Sequence, residues 1–203
     1  MTSAWATEVD SWGENPIYGE PSDGTLAAAR NDAEITFVND IMADGWFDPD
    51  HQGSGRFPAP LTITSAEDQI IDGNHYSFST NDVYYKNRLY YYCLDISKTG
   101  GSLTLKNLGK VSDGDANNNT FAFTDLDGNT VYKKIDGSVN SWTTYFLTIK
   151  NSIPVNIENS VFSNNGKDSD ARLIYVSGSG VGTLNVSDSI FYNNTISSTI
   201  PLA

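Results

Sequence analysis

One stretch of this chain is written twice. Asn156-Ile-Glu-Asn-Ser-Val-Phe-Ser-Asn-Asn165 returns as Asn185-Val-Ser-Asp-Ser-Ile-Phe-Tyr-Asn-Asn194, offset by 29 residues with five of ten positions identical. Three more pairs, Ile157/Val186, Asn159/Asp188 and Val161/Ile190, keep their shape. In Leu-x-Val/Ile-x-Asn the apolar side chains share one face and the polar ones the other, so each copy reads as a short strand with one buried face. A unit of this size holding two or three short strands cannot bury its apolar face alone. It must stack on copies of itself. Asn at the corners suits such stacking, because it tolerates the left-handed backbone region and its amide can bond the Asn one copy away.

Shorter echoes extend the pattern toward the N-terminus. Leu103-Thr-Leu-Lys-Asn107, Leu147-Thr-Ile-Lys-Asn151 and Leu184-Asn-Val-Ser-Asp188 read as three copies of one strand, with Leu61-Thr-Ile-Thr64 as a fourth. The spacing from 103 to 147 is longer than the repeat. A hairpin explains the excess: Asn119-Thr-Phe-Ala-Phe-Thr124, a turn at Asp125-Leu-Asp-Gly-Asn129, then Thr130-Val-Tyr-Lys-Lys134. An insertion over about residues 113–138 breaks the period, and what breaks a repeat is free to carry function.

Composition supports a β-rich, turn-rich chain. Asn, Asp, Ser, Thr and Gly make up 96 of 203 residues, and 19 of the 25 acidic side chains are Asp. The net charge of −13 opposes nucleic acid and anionic membrane surfaces, which are held through clustered Lys and Arg. No apolar run is long enough to span a membrane. The single cysteine, Cys93, leaves no internal disulfide and reads as a small core residue.

The two Phe-x-x-Asn copies, Phe162-Ser-Asn-Asn165 and Phe191-Tyr-Asn-Asn194, resemble the repeat of polymorphic outer-membrane proteins and large adhesin-like surface proteins. In the place of that family's Gly-Gly-Ala-Ile half-motif this chain has Ala171-Arg-Leu-Ile-Tyr175, without the glycines. Ile71-Asp-Gly-Asn-His-Tyr-Ser-Phe78 is similar to a turn common in early coils of such proteins. The resemblance implies a right-handed parallel β-helix of the pectate-lyase kind, with Phe162, Asn165, Phe191 and Asn194 as its structural repeat positions. It also implies an exported, cell-surface setting, the signal having been removed or lying outside this chain.

Residues 1–35 do not repeat and read as an N-terminal cap, with one short helix at Thr25-Leu-Ala-Ala-Ala-Arg-Asn31 capped by Thr25 or Asp23. Residues 36–203 read as the coils, beginning with the strand Ile35-Thr-Phe-Val-Asn-Asp-Ile41. The last repeat is followed by no capping helix. An open coil end predicts continuation of the natural chain or end-to-end self-association there.

The chemistry on offer is sparse. Asp113-Gly-Asp-Ala-Asn117 places oxygens on Asp113, Asp115 and Asn117 at alternate positions, as calcium loops do, but it lacks the Gly and Glu of an EF-hand. Calcium is the one cofactor to consider, and a solvated turn is the plainer reading. His51 and His75 have no partner at ligand spacing, and no Gly-x-Ser-x-Gly elbow occurs. The four arginines are scattered and no Asp-Asp doublet appears, which argues against a polysaccharide lyase or hydrolase, the enzyme classes this scaffold supports. Aromatic residues are the better ligand candidates. Trp142, in the polar loop Ser138–Thr144, and Tyr132, on the hairpin, can stack on sugar rings or anchor a partner. The leading expectation is an adhesin-like binding or presentation module contacting a glycan or cell-surface protein. A polysaccharide-active enzyme comes second and a structural spacer third.

Overall fold

The computed structural model describes residues 6–13, 23–43, 61–80, 92–114, 120–136, 145–150, 152–163, 172–176, 182–192 and 194. Among the described residues the protein is all-β apart from one helical turn. Six strands form a sheet in which every pairing is parallel: β1 (Thr7–Val9), β2 (Glu34–Phe37), β5 (Gln69–Asp72), β8 (Leu103–Lys106), β13 (Val155–Glu158) and β16 (Leu184–Ser187), in that order across the sheet. A second parallel sheet holds β4 (Leu61–Ile63), β7 (Tyr92–Ile96), β12 (Tyr145–Ile149) and β15 (Arg172–Val176). Two further parallel pairs join β3 (Ile41–Ala43) to β6 (Phe78–Thr80) and β14 (Val161–Ser163) to β17 (Ile190–Tyr192).

Between the two pairs, backbone bonds carry the ladder through. The amide of Ile41 donates to Ser77 O, that of Gly109 to Tyr76 O, that of Val161 to Leu108 O and that of Ile190 to Ser160 O. From β2 onward the chain therefore visits the six-stranded sheet, this corner ladder and the four-stranded sheet in rotation.

Alternation explains why these segments are strands. Leu103 and Leu105 of β8, Val155 and Ile157 of β13, and Leu147 and Ile149 of β12 all point into the core, with polar residues between them. The registers line the buried side chains up. Ile35, Ile71, Leu105 and Ile157 form one column, and Ile63, Ile96 and Ile149 form another. Each such side chain contributes about 1.5–3 kcal/mol when taken fully out of water.

The 29-residue repeat is a register. Asn156 pairs with Asn185, Ile157 with Val186 and Phe162 with Phe191. The shorter echoes are not one strand type, however. Leu103 and Leu184 both align with Val155 in the six-stranded sheet, whereas Leu61 and Leu147 both align with Leu94 in the four-stranded one. Both sheets need an apolar-x-apolar strand facing the same core, so the two rows look alike in sequence.

The corners after β8, β13 and β16 use Asn107, Asn159 and Asp188, all with positive φ (54°, 43° and 49°). Short polar side chains visit that region at least cost. They also form a ladder: Asn159 Nδ2 donates to Asn107 Oδ1 at 2.8 Å, and Asn107 Nδ2 donates to Asp72 Oδ1 at 2.9 Å. Burial on its own would raise the Asp72 carboxyl. The Asn107 amide, the Asn74 N–H and Lys106 together outweigh that and hold it below the usual carboxylate range.

At the N-terminal end, α1 (Leu26–Ala29) starts at Thr25, whose hydroxyl accepts from the Ala28 N–H at 3.2 Å. The amides of Leu26 and Ala27 donate to Ser11 O and Trp12 O, which holds α1 on the segment after β1. The sheet thus begins at Thr7, inside the segment read as a cap and ahead of the strand at Ile35. Only three residues long, β1 is too short to show alternation. Trp12 and Phe37 both pack on Phe78, with ring centroids 5.6 and 6.1 Å apart. Among the described residues, no helix is long and apolar enough to cross a membrane.

Candidate binding surface

Among the described residues one sheet departs from the parallel pattern. β9 (Lys110–Asp113), β10 (Thr120–Thr124) and β11 (Thr130–Asp136) pair antiparallel in the order β10-β11-β9. It arises where the sequence places Asp-Gly-Asn between two alternating runs. Asp125 closes the turn: its Oδ1 accepts from the amides of Asp127 and Asn129, and its Oδ2 accepts from Asn129 Nδ2. These bonds, led by the Asn129 N–H, hold the Asp125 carboxyl below its ordinary value. Gly128 takes φ +85°, which a residue with a Cβ adopts only with strain. The turn presents Leu126 wholly to solvent, at 106% relative exposure.

Tyr132 stands opposite Ala122 on this sheet and is 37% exposed. Its neighbour Lys133 turns to the other face and pairs with Asp113, the residue opposite it on β9. That ion pair pulls the Asp113 carboxyl below its usual range. Asp113, first of the three oxygens read as a loose calcium loop, thus already faces a cation; Asp115 and Asn117 lie outside the described residues. Among the described residues, no group of three or more His, Cys, Asp and Glu gathers to hold a metal ion.

Trp142 also lies outside the described residues, so only Tyr132 of the two aromatic candidates has a place in the structure. His75 is exposed in a turn at φ +66°, and His51 lies outside the described residues, as does Asn165. Phe162 is fully buried and stacks on Phe191 at a centroid distance of 5.2 Å and 14° between planes. Asn194 Nδ2 donates to Phe162 O at 2.9 Å, tying the last corner to the strand below it.

Two charged side chains in the body of the molecule were not legible as special. Lys98 is completely enclosed, and its Nζ donates to Glu67 O at 2.7 Å. Desolvation lowers its pKa, against the opposing pull of Asp68 and Glu67. Asp95, 5% exposed, sits on β7 between Thr62 and Thr148 and pairs with Lys150. Asp95-Ile-Ser-Lys98 reads as an ordinary strand end. Only the stacking of neighbouring turns of chain brings Glu67 and Lys150 to it. Both charges are bonded within the scaffold, which fits a structural part for them.

What these elements define, among the described residues, is an all-β protein with four groups of parallel strands and one antiparallel, solvent-facing sheet. Comparison with family models, curated proteins and solved structures finds no match to the chain.

Proposed function

We propose that the chain is a right-handed parallel β-helix that serves in surface attachment or presentation. It binds a glycan or a surface partner without transforming it, through the antiparallel sheet β9–β11. The observation that carries this reading is the hydrogen-bonded turn that holds Leu126 fully in water at the start of the strand bearing Tyr132, itself 37% exposed. An apolar side chain presented on an ordered turn, with an aromatic on the adjoining strand, is the pattern of a contact surface. The rotation of the chain through parallel ladders supports the β-helix, and the crossover rule for parallel strands supports its right hand. The acidic, Asn- and Ser-rich composition and the single cysteine accord with an exported surface protein whose scaffold needs no disulfide.

The test is binding of the purified chain to immobilised polysaccharides and to cell surfaces, run beside assays for release of unsaturated or reducing sugars. Each is done with and without calcium. Stacking on an exposed aromatic contributes about 1 kcal/mol, so Tyr132→Ala and Trp142→Ala should each weaken binding several-fold; Leu126→Ala, which removes an exposed apolar contact, should weaken it too, and all three should leave the melting curve in place. Sugar release would overturn the reading in favour of an enzyme. Binding indifferent to Tyr132→Ala and Leu126→Ala would move the contact off this sheet.

A further inference from the structure

Exposure separates the two faces of the antiparallel sheet. Residues directly opposite one another share a face, so Tyr132 groups with Ala122 and Thr124 of β10 and with Thr130 and Lys134 of its own strand. All five are exposed. Val131 and Lys133, on the other face, are half-buried, and Lys133 pairs with Asp113. The cross-strand neighbours of Tyr132 are the two smallest residues. Ala122 lies opposite it on one side, and on the other Gly114 donates its amide to Tyr132 O at 3.0 Å. A methyl group and a hydrogen leave the backbone on both sides of the ring open to close approach by a ligand. A sugar ring set against Tyr132 meets that floor without a clash. Thr124 and Thr130, paired opposite each other, present hydroxyls to its polar edge.

Size and charge decide what such a face takes. Three strands about 4.8 Å apart, the longest of seven residues at about 3.4 Å each, present on the order of 300 Å². A stable protein interface covers about 800 Å² on each partner, so this face alone is too small for one and suits a few sugar rings. Charge then separates the glycans. From Lys110 to Asp136 the sequence has three lysines and five aspartates, a net of 3 − 5 = −2, within a chain of net −13. Polyanions are held by a surplus of Lys and Arg. Neither this segment nor the whole chain carries that surplus.

Resting on the binding reading of this same sheet, we propose that its Tyr132 face takes a short run of uncharged glycan, in preference to an acidic polysaccharide or a protein. The C–H face of a pyranose stacks on Tyr132 over the floor made by Ala122 and Gly114. Its hydroxyls bond the Thr124 and Thr130 hydroxyls and accept from the Lys134 ammonium.

Titration calorimetry of the full chain reads the outcome, with uncharged oligosaccharides of the glucose, mannose, galactose and N-acetylglucosamine series run beside polygalacturonate and heparin. At least one uncharged series should bind. Raising salt from about 50 to 200 mM should change its Kd by less than about two-fold, because no ion pair is broken. Ala122→Val places a strand-favouring residue at an exposed strand position and should keep the melting curve. It fills the floor beside Tyr132, so it should weaken binding at least about ten-fold. Should that variant lose its fold, amide NMR shifts of the unaltered chain serve in its place: the sugar should move Gly114, Ala122 and Tyr132 most. Tighter, salt-sensitive binding of polygalacturonate or heparin would overturn the proposal and leave surface attachment standing. So would attachment to cells through a protein with no sugar bound, binding indifferent to Ala122→Val, or shifts confined to other strands. A chain that binds neither sugars nor cell surfaces would remove both readings.

Discussion

Phe162 and Phe191 are the same residue of the repeat in two environments, which makes them a matched pair. Phe162 is enclosed beneath its stacked partner, and Phe191 is nearly half in water. Truncating a buried aromatic in a packed core costs about 3–5 kcal/mol, so Phe162→Ala should lose that much in urea melts and Phe191→Ala clearly less. Equal losses would mean that the end of the stack is better covered than its surface suggests. Asp72 offers a second test at this scale. Its folded-state pKa lies below the unfolded value, so its contribution is present above the unfolded pKa and disappears as pH falls through the folded one. The stability gap between the parent chain and Asp72→Asn should therefore be widest near neutral pH and shrink below about pH 4, near the unperturbed Asp value. A gap that stays constant down to pH 2 would remove Asp72 from the acid response.

The corner is the element that makes the stack possible, and it uses Asn for two reasons that mutation can separate. Asn159 holds a positive φ, and its side-chain amide N–H donates to Asn107 Oδ1. Asn159→Gly keeps the backbone freedom and loses only the hydrogen bond, a cost of about 1 kcal/mol. Asn159→Ala loses both and should cost about 1–2 kcal/mol more, the penalty for placing a Cβ in the left-handed region. Thermal melts of the two variants should rank Gly above Ala; the reverse order would mean that the left-handed backbone at this corner matters little, and an Asn159→Gly variant as stable as the parent would mean the same of the amide ladder. Asn107 and Asn159 recur in the sequence at the ends of two apolar-x-apolar runs, whereas the Asn-rich corner read from it, Asn164-Asn165 and Asn193-Asn194, lies outside the described residues except for Asn194. The strand rows were only half legible: apolar-x-apolar serves either sheet, so Leu103 and Leu147 looked like one row and belong to two. The antiparallel hairpin was legible through Asp125-Leu-Asp-Gly-Asn129, whose turn chemistry is local. Enclosure of Lys98 and the Asp95–Lys150 pair depend on partners 31 and 55 residues away, and no local pattern announces those.

Over the whole molecule, spacing separates scaffold from cargo. Asn159 and Asn107, equivalent corners of adjacent turns of chain, are 52 residues apart, whereas Asn185 and Asn156 in the next turn are 29 apart. The excess lies where β9, β10 and β11 leave the parallel pattern. Removing residues 115–136, 22 positions, would bring the long turn to 30, within one residue of its neighbour. Loop closure costs little more for long connections than for short ones, so the insertion adds little strain, and its loss should relieve none. The shortened chain should keep the parallel registers of Leu105 with Ile157 and of Leu94 with Leu147, along with a cooperative melt within a few degrees of the parent. It should also lose the glycan or partner binding assigned to Leu126 and Tyr132. Circular dichroism and a denaturant melt read the first half, and the same immobilised-ligand assay reads the second. A shortened chain that fails to fold would make the antiparallel sheet part of the scaffold. One that folds and still binds would place the contact on the parallel faces and return the hairpin to the role of a surface ornament.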